Sequence, residues 1–190
     1  YNSPDYFPFV ESLASTQGVQ YGLPLFVDPF VMAYQANLIT FPPSTWQEVS
    51  TQDAPISVNL TNPLALFPFA MYLSAGGHLL NDAGDPTLEA DALTRTYQIL
   101  FNGSTSSAFP AWLTNQQLPE DAWNALLEKR VTYALVWASQ VLNSPNDNIA
   151  VAPLPGSAAI PVGFVDGWML CITNPTADHS RYDIMLADYL

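Results

Sequence analysis

Cations are scarce in this 190-residue chain: four Lys and Arg stand against 17 Asp and Glu, a formal net charge of −13. Arg95, Lys129, Arg130 and Arg181 cannot make the basic footprint that nucleic acid requires. An anionic membrane surface would repel the chain. Charge of either sign is sparse, at 11% of residues against about 25% in a typical soluble domain. A surface ion-pair network is therefore not available. Cys171 stands alone, so neither an internal disulfide nor a thiolate metal site can form. Its neighbours Met169, Leu170 and Ile172 predict a buried structural thiol rather than a nucleophile. No apolar run approaches the roughly 18 residues of a transmembrane helix. No basic segment leads into an apolar one as in a signal peptide. The chain opens on Tyr1-Asn2-Ser3 and stops at Asp188-Tyr189-Leu190 within a helical pattern, which suggests a piece of a longer protein with any targeting segment upstream. Gly-x-Ser-x-Gly, P-loop and Gly-x-Gly-x-x-Gly motifs do not occur. His78 and His179 have no partner at metal-ligand spacing and read as turn and helix-start residues, so no cofactor and no metal are expected.

What is abundant is apolar and aromatic: 49% hydrophobic residues, 13% aromatic, with 17 prolines, a composition that excludes a disordered chain. Pro4–Leu13 reads as a short helix or an irregular turn, and Tyr21–Val27 as an extended run that Pro24 confines to an edge or a strand end. Phe30–Tyr34 reads as a buried strand. Thr45-Trp46-Gln47-Glu48 fits a capping box, so a helix should start there. Ile56–Leu60 alternates as a strand does. Phe67–Leu73 predicts an apolar helix ended by Gly76-Gly77. Leu79–Leu88 predicts a hairpin turning at Asn81–Asp85. Glu89–Phe101 predicts an amphipathic helix ended by Asn102-Gly103, with a solvated loop at Ser104–Ser107. A helix over Pro119–Lys129, strands over Val131–Val136, Ile149–Ala152 and Trp168–Ile172, and a last helix over Arg181–Leu190 complete the pattern. Interleaved strands and helices without repeats predict an α/β domain with a mixed sheet, and Pro153–Pro161 reads as a link between lobes.

Six segments in this order resemble the extracellular solute-binding proteins of ABC importers, in the group that includes the maltodextrin-binding proteins. They are Tyr21-Gly22-Leu23-Pro24 with Val27-Asp28 and Tyr34; Phe41-Pro42-Pro43-Ser44-Thr45-Trp46-Gln47-Glu48; Phe67-Pro68 through Gly76-Gly77; Leu80-Asn81-Asp82 with Pro86-Thr87-Leu88; Asp147–Gly156; and Gly167–Ile172. The resemblance implies a periplasmic-binding-protein-like (type II) lobe, a mixed sheet flanked by helices, with most of a first lobe outside this chain. Residues 1–27 would approach from the first lobe, 28–160 would form the second lobe, and 161–190 would return to the first. The implied function is capture of a carbohydrate outside the membrane, in the periplasm or at the cell surface with or without a lipid anchor. Delivery would be to the transmembrane permease subunits, by a protein that is not an enzyme and is monomeric when full length. One departure is that Glu128-Lys129-Arg130 stands where the family places a Gly-Lys pair, so that helix lacks its glycine cap.

The candidate ligand residues each have a bland alternative. Asp28 lies where a hinge strand would cross the cleft, and by the resemblance falls on an acidic sugar contact; otherwise it starts a turn before Pro29. Asn62 stands at the mouth of the apolar helix as a contact, or is a cap. Leu64 occupies a position where sugar binders can carry an aromatic. Trp137 and Ser139 end a strand, where ligands of α/β sheets lie, and an indole there can stack on a pyranose; the alternative is a core Trp. Asp166 and Trp168 pose the same choice. Trp46, Trp112, Trp123 and Tyr34 read as packing residues. Another polar solute, such as a polyol, peptide or organic anion, is the alternative ligand. A carbohydrate-active enzyme is the alternative function, but the acids lie mostly in turns and first helical turns rather than as a spaced catalytic pair.

Overall fold

The computed structural model describes residues 7–52, 54–60, 66–116, 118, 120–157 and 162–171. In chain order the elements are α1 (Pro8–Leu13), β1 (Ser15–Thr16), β2 (Val19–Gln20), β3 (Leu23–Gln35), α2 (Trp46–Thr51), β4 (Ile56–Ser57), α3 (Leu66–Ser74), α4 (Ala90–Thr105), a 3-10 turn (Ala111–Asn115), α5 (Asp121–Leu127), β5 (Tyr133–Trp137), α6 (Ala138–Asn143), β6 (Ile149–Ala152) and β7 (Val165–Leu170). Two compact units result. Pro29–Phe164 forms the larger, and the smaller draws on the chain up to Asp28 and from Val165 onward.

In the larger unit β4, β5, β3 and β6 lie side by side, with β5 and β6 antiparallel to β3 and β4 parallel to β5. The sheet is mixed, as the interleaved pattern predicts. Its pleat feeds two cores. Phe30 and Met32 of β3 and Tyr133 and Leu135 of β5 join Trp46, Ile56, Phe67 and Met71 on one face. Ala33, Ala134 and Val136 meet Trp123, Ala125 and Leu126 of α5 on the other. Successive strand side chains point to opposite faces, so a strand covered on both sides must be apolar at nearly every position. Gln35 closes β3, buried, with its amide donating to the Leu126 carbonyl at 2.7 Å.

Several local expectations hold, each for a physical reason. The Thr45 hydroxyl accepts the Glu48 amide at 3.2 Å, and Glu48 reaches back to the Thr45 amide at 3.3 Å, completing the capping box of α2. The Ser44 amide, 2.7 Å from the same carboxylate, is the main reason Glu48 titrates below the ordinary glutamate range. Trp46 and Trp123 are buried, and Trp112 is half-buried under the Arg130 guanidinium, 5.5 Å from its ring centroid. Leu80 and Pro86 bridge across the Asn81–Asp85 turn. His78 is exposed and lies two residues beyond the turn at Ala75-Gly76.

Others need correction. The runs Tyr21–Val27 and Phe30–Tyr34 are not separate: β3 continues through Pro24 and Pro29. Pro29, which has no N–H to give, precedes the stretch paired with β5, which begins at Phe30. Asp28 therefore lies within a strand and starts no turn. α4 does not stop at Asn102-Gly103 but runs to Thr105, so the predicted loop at 104–107 is half helix. Gly103 serves packing instead: a Cβ there would come within 2.0–2.7 Å of the Phe109 ring. Tyr34 is half-buried rather than core. Cys171 is exposed, because it follows β7, whose central residues face solvent. β7 itself begins at Val165, three residues before the predicted Trp168. The β1–β2 hairpin, the 3-10 turn and α6 were not anticipated. Asn62, Leu64, His179, Ile172 and the last predicted helix lie outside the described residues.

Two helix ends show one motif with different residues. After α3 the Gly77 amide bonds the Tyr72 carbonyl and the Gly76 amide bonds Leu73, both at 3.0 Å, with Gly76 at φ +89°. After α5 the Arg130 amide bonds Ala125 at 2.9 Å and Lys129 bonds Leu126 at 3.0 Å, with Lys129 at φ +59°. Both are Schellman ends. The second forces an L side chain into the left-handed region, where its Cβ costs about 1–2 kcal/mol. Lys129→Gly should raise stability by about 0.5–1 kcal/mol after the entropy of the freer unfolded glycine is counted. The expected result is a higher urea midpoint with an unchanged slope, and an unchanged midpoint would show that the turn relaxes without strain.

A second prediction concerns acid. Glu89 precedes α4 and accepts the His78 amide at 2.7 Å, with His78 Nδ1 at 3.0 Å from its other oxygen. These bonds, the backbone amide first, hold its carboxyl below the ordinary range. A carboxylate with a depressed folded-state pKa contributes stability above its unfolded pKa, and that contribution is lost as pH falls through the folded value. Glu89→Gln should therefore lower the urea midpoint at about pH 7, and the gap to the parent should close below about pH 4. An equal gap at both pH values would assign the loss to something other than the charge.

Candidate functional site

In the smaller unit, β7 pairs with β3. The pair is antiparallel: a Cβ on Gly22 would meet Leu170 and Cys171, while one on Gly167 would meet Phe26 and Val27. Both positions are tight: a Cβ on Gly22 would stand 2.8 Å from Cys171 Sγ and 3.0 Å from the Leu170 carbonyl oxygen, and one on Gly167 would stand 2.9 Å from the Phe26 carbonyl oxygen and 3.3 Å from Val27 Cγ1. A strand glycine of this kind marks a close backbone approach. It lets the next residue, Trp168, meet Phe26 across the strands, with ring centroids 6.4 Å apart and planes tilted by 31°.

Both rings are exposed, Trp168 at 69% and Phe26 at 57%. Their contact fixes them on one face of the ladder, and strand alternation places Asp166 and Asp28 on that face with them. Phe26, Asp166, Gly167 and Trp168 line a cavity of about 180 Å³, bounded further by Pro24 and Leu13. Asp166 is exposed, and one carboxylate oxygen accepts the Gly167 amide at 2.8 Å. A carboxylate offers about four acceptor sites, so this bond leaves capacity for a ligand hydroxyl. Asp28 is half-buried.

In the larger unit, Trp137 is the last residue of β5 and Ser139 the second of α6. Both are half-buried. The Trp137 indole packs on Phe30, centroids 5.1 Å apart at 59°, and its amide donates to Gln140 Oε1 at 3.2 Å. Phe30 in turn donates its amide to the Phe164 carbonyl at 2.8 Å, so the residues at the two ends of this unit's chain are tied together. Of the sequence-predicted residues, then, Asp166 and Trp168 share one cavity and Asp28 shares their sheet face. Trp137 and Ser139 belong to the other unit. Phe26 was missed, because an apolar residue in an apolar run carries no signal until its cross-strand partner is known. Among the described residues no group of three or more His, Cys, Asp or Glu could hold a metal ion, and no helix is long and apolar enough to cross a membrane.

No family model and no curated protein matches the sequence. Solved structures do match it. Maltose-bound MalE3 of T. maritima superposes with a TM-score of 0.74 at 19% identity, over 96% of this chain and 53% of that one. An ABC transporter solute-binding protein of Thermotoga lettingae bound with alpha-D-tagatose gives 0.71 at 20% identity, with the same coverage of 96% and 53%. At these identities the likeness shows the fold: a periplasmic-binding-protein-like α/β lobe with a mixed sheet and flanking helices. The chain spans about half the length of the solved structures it matches.

The Gly167 close approach has a direct test. Gly167→Ala must push β7 from β3 and separate Trp168 from Phe26, at a cost of about 1–3 kcal/mol. The variant should show altered near-ultraviolet circular dichroism and a shifted Trp emission. A folded variant with parental spectra would mean that the glycine does not hold the rings together.

Proposed function

We propose that this chain is part of the solute-binding component of an ABC importer, and that it captures a neutral carbohydrate outside the membrane for delivery to the permease. The observation that carries the reading is the superposition of 96% of the chain on solute-binding proteins described with maltose and with alpha-D-tagatose bound. The chemistry of the smaller unit agrees with it. An exposed indole offers an apolar face for the C–H side of a sugar ring, and Asp166 and Asp28 offer acceptors for its hydroxyls. A chain at −13 repels anionic solutes, whereas a neutral one meets no such penalty. The action is non-covalent: stacking and hydrogen bonds hold the solute, and no bond in it is made or broken. Monomeric action in the full-length protein belongs to the same reading.

Calorimetry on the intact protein tests it, with maltose, D-tagatose and further neutral sugars against a sugar acid. Heat should appear with at least one neutral sugar and not with the acid. Trp168→Ala should weaken that binding about tenfold or more. Silence for every neutral sugar, or turnover of the sugar, would sink the proposal.

A further inference from the structure

The exposed rings of the smaller unit point to a residue that the functional reading does not contain. Phe26 is 57% exposed on a strand whose neighbour Pro24 is buried. It is not covered by Trp168, because a centroid distance of 6.4 Å with a 31° tilt sets the two rings beside each other rather than face to face. Cross-strand neighbours in this relation form a floor about two rings wide. The floor opens on a cavity of about 180 Å³. Complete small-molecule pockets measure about 300–1,000 Å³, so this is the size of one subsite rather than of a whole site. Among the described residues that line it, the charged one is Asp166, an acceptor.

We propose that Phe26 is a ligand-contacting residue. With Trp168 it forms the aromatic floor of a subsite for one ring of a neutral sugar, while Asp166 accepts from hydroxyls at that ring's edge. The proposal rests on the carbohydrate reading above and adds a size and a second aromatic contact. The chemistry selects its occupant. Two apolar faces and a carboxylate, with no cation among the described residues that line the cavity, disfavour an anionic solute. An acceptor at the rim gives a hydroxylated ring what a purely apolar one could not use.

The test uses the intact protein and the sugar that binds it best. Phe26→Ala should weaken affinity about tenfold, Phe26→Leu several-fold because it keeps the volume and loses the ring face, and Phe26→Tyr, which keeps the ring face, less than Phe26→Leu. Thermal unfolding is measured on each variant, and Phe26→Leu stands in if Phe26→Ala does not fold. Unchanged affinity in Phe26→Leu overturns the proposal. A drop in unfolding temperature without a change in affinity overturns it as well, by making Phe26 a packing residue against further protein. The two readings fail separately. If the parent binds no neutral sugar, the carbohydrate function falls. If the parent binds and Trp168→Ala weakens binding while the Phe26 variants do not, only the role of Phe26 falls.

Discussion

The alternation of side chains along β3 is the constraint on which the rest depends. Within Pro29–Phe164 the strand has β5 on one side and β6 on the other, and each face meets its own apolar cluster. Phe30 and Met32 must point one way and Ala33 the other. A slip of one residue would reverse every assignment and bring the polar end, Gln35, out of register with the Leu126 carbonyl. The small residues on the α5 side, Ala33 and Ala134, let the helix come close enough for Leu126 to reach both the core and that amide. The large ones fill the space beneath Trp46 and Phe67, whose rings meet edge to face at 5.6 Å.

The same strand, before Asp28, obeys a different rule. There the side chains are mostly exposed or half-buried, and the burial pattern from Leu25 to Pro29 shows no fully buried position. Leaving a large aromatic in water forgoes about 1.5–3 kcal/mol relative to burying it. Phe26 and Trp168 both do so on one face, with the Asp166 carboxylate beside them. Exposed apolar rings rimmed by acceptors are an arrangement that folding alone does not favour. Such rings call for a cover, either a ligand or further protein, since the chain spans about half the length of the structures it matches.

The sequence was most legible where one short-range rule decides the outcome. Thr45 and Glu48 form a capping box whatever surrounds them. Gly76 accepts a left-handed φ at little cost, so α3 ends where its pattern says. The apolar run Val131–Val136 placed β5 to within two residues at its start. Legibility failed where a distant contact outweighed the local signal. Gly103 looks like a helix end until the Phe109 ring is seen lying against it. Pro24 and Pro29 look like strand breakers until the strand is seen to run past both, lying against β7 from Gly22 to Val27 and pairing with β5 from Phe30. Lys129 looks like a missing cap, yet the Schellman bonds form with a lysine in the glycine's place. The candidate site divides in the same manner. Trp168 and Asp166 stand out as residue types, whereas Phe26 acquires meaning only from the strand opposite.

The shortage of charge gains meaning from these two faces. A site for an ion needs a counter-charge, and this chain brings four cations against 17 acids. A site for a neutral ring needs flat apolar surface and a few acceptors, which are what the β3–β7 ladder presents. Carboxylates are suited to this duty, because they accept without donating and so sort hydroxyl donors from other groups. Acids at the rim also keep the exposed rings from inviting like copies of the same chain, since −13 on each opposes association. Under the carbohydrate reading proposed above, the excess of acid and the excess of aromatic residues serve one surface, the rings offering apolar faces and the carboxylates offering acceptors.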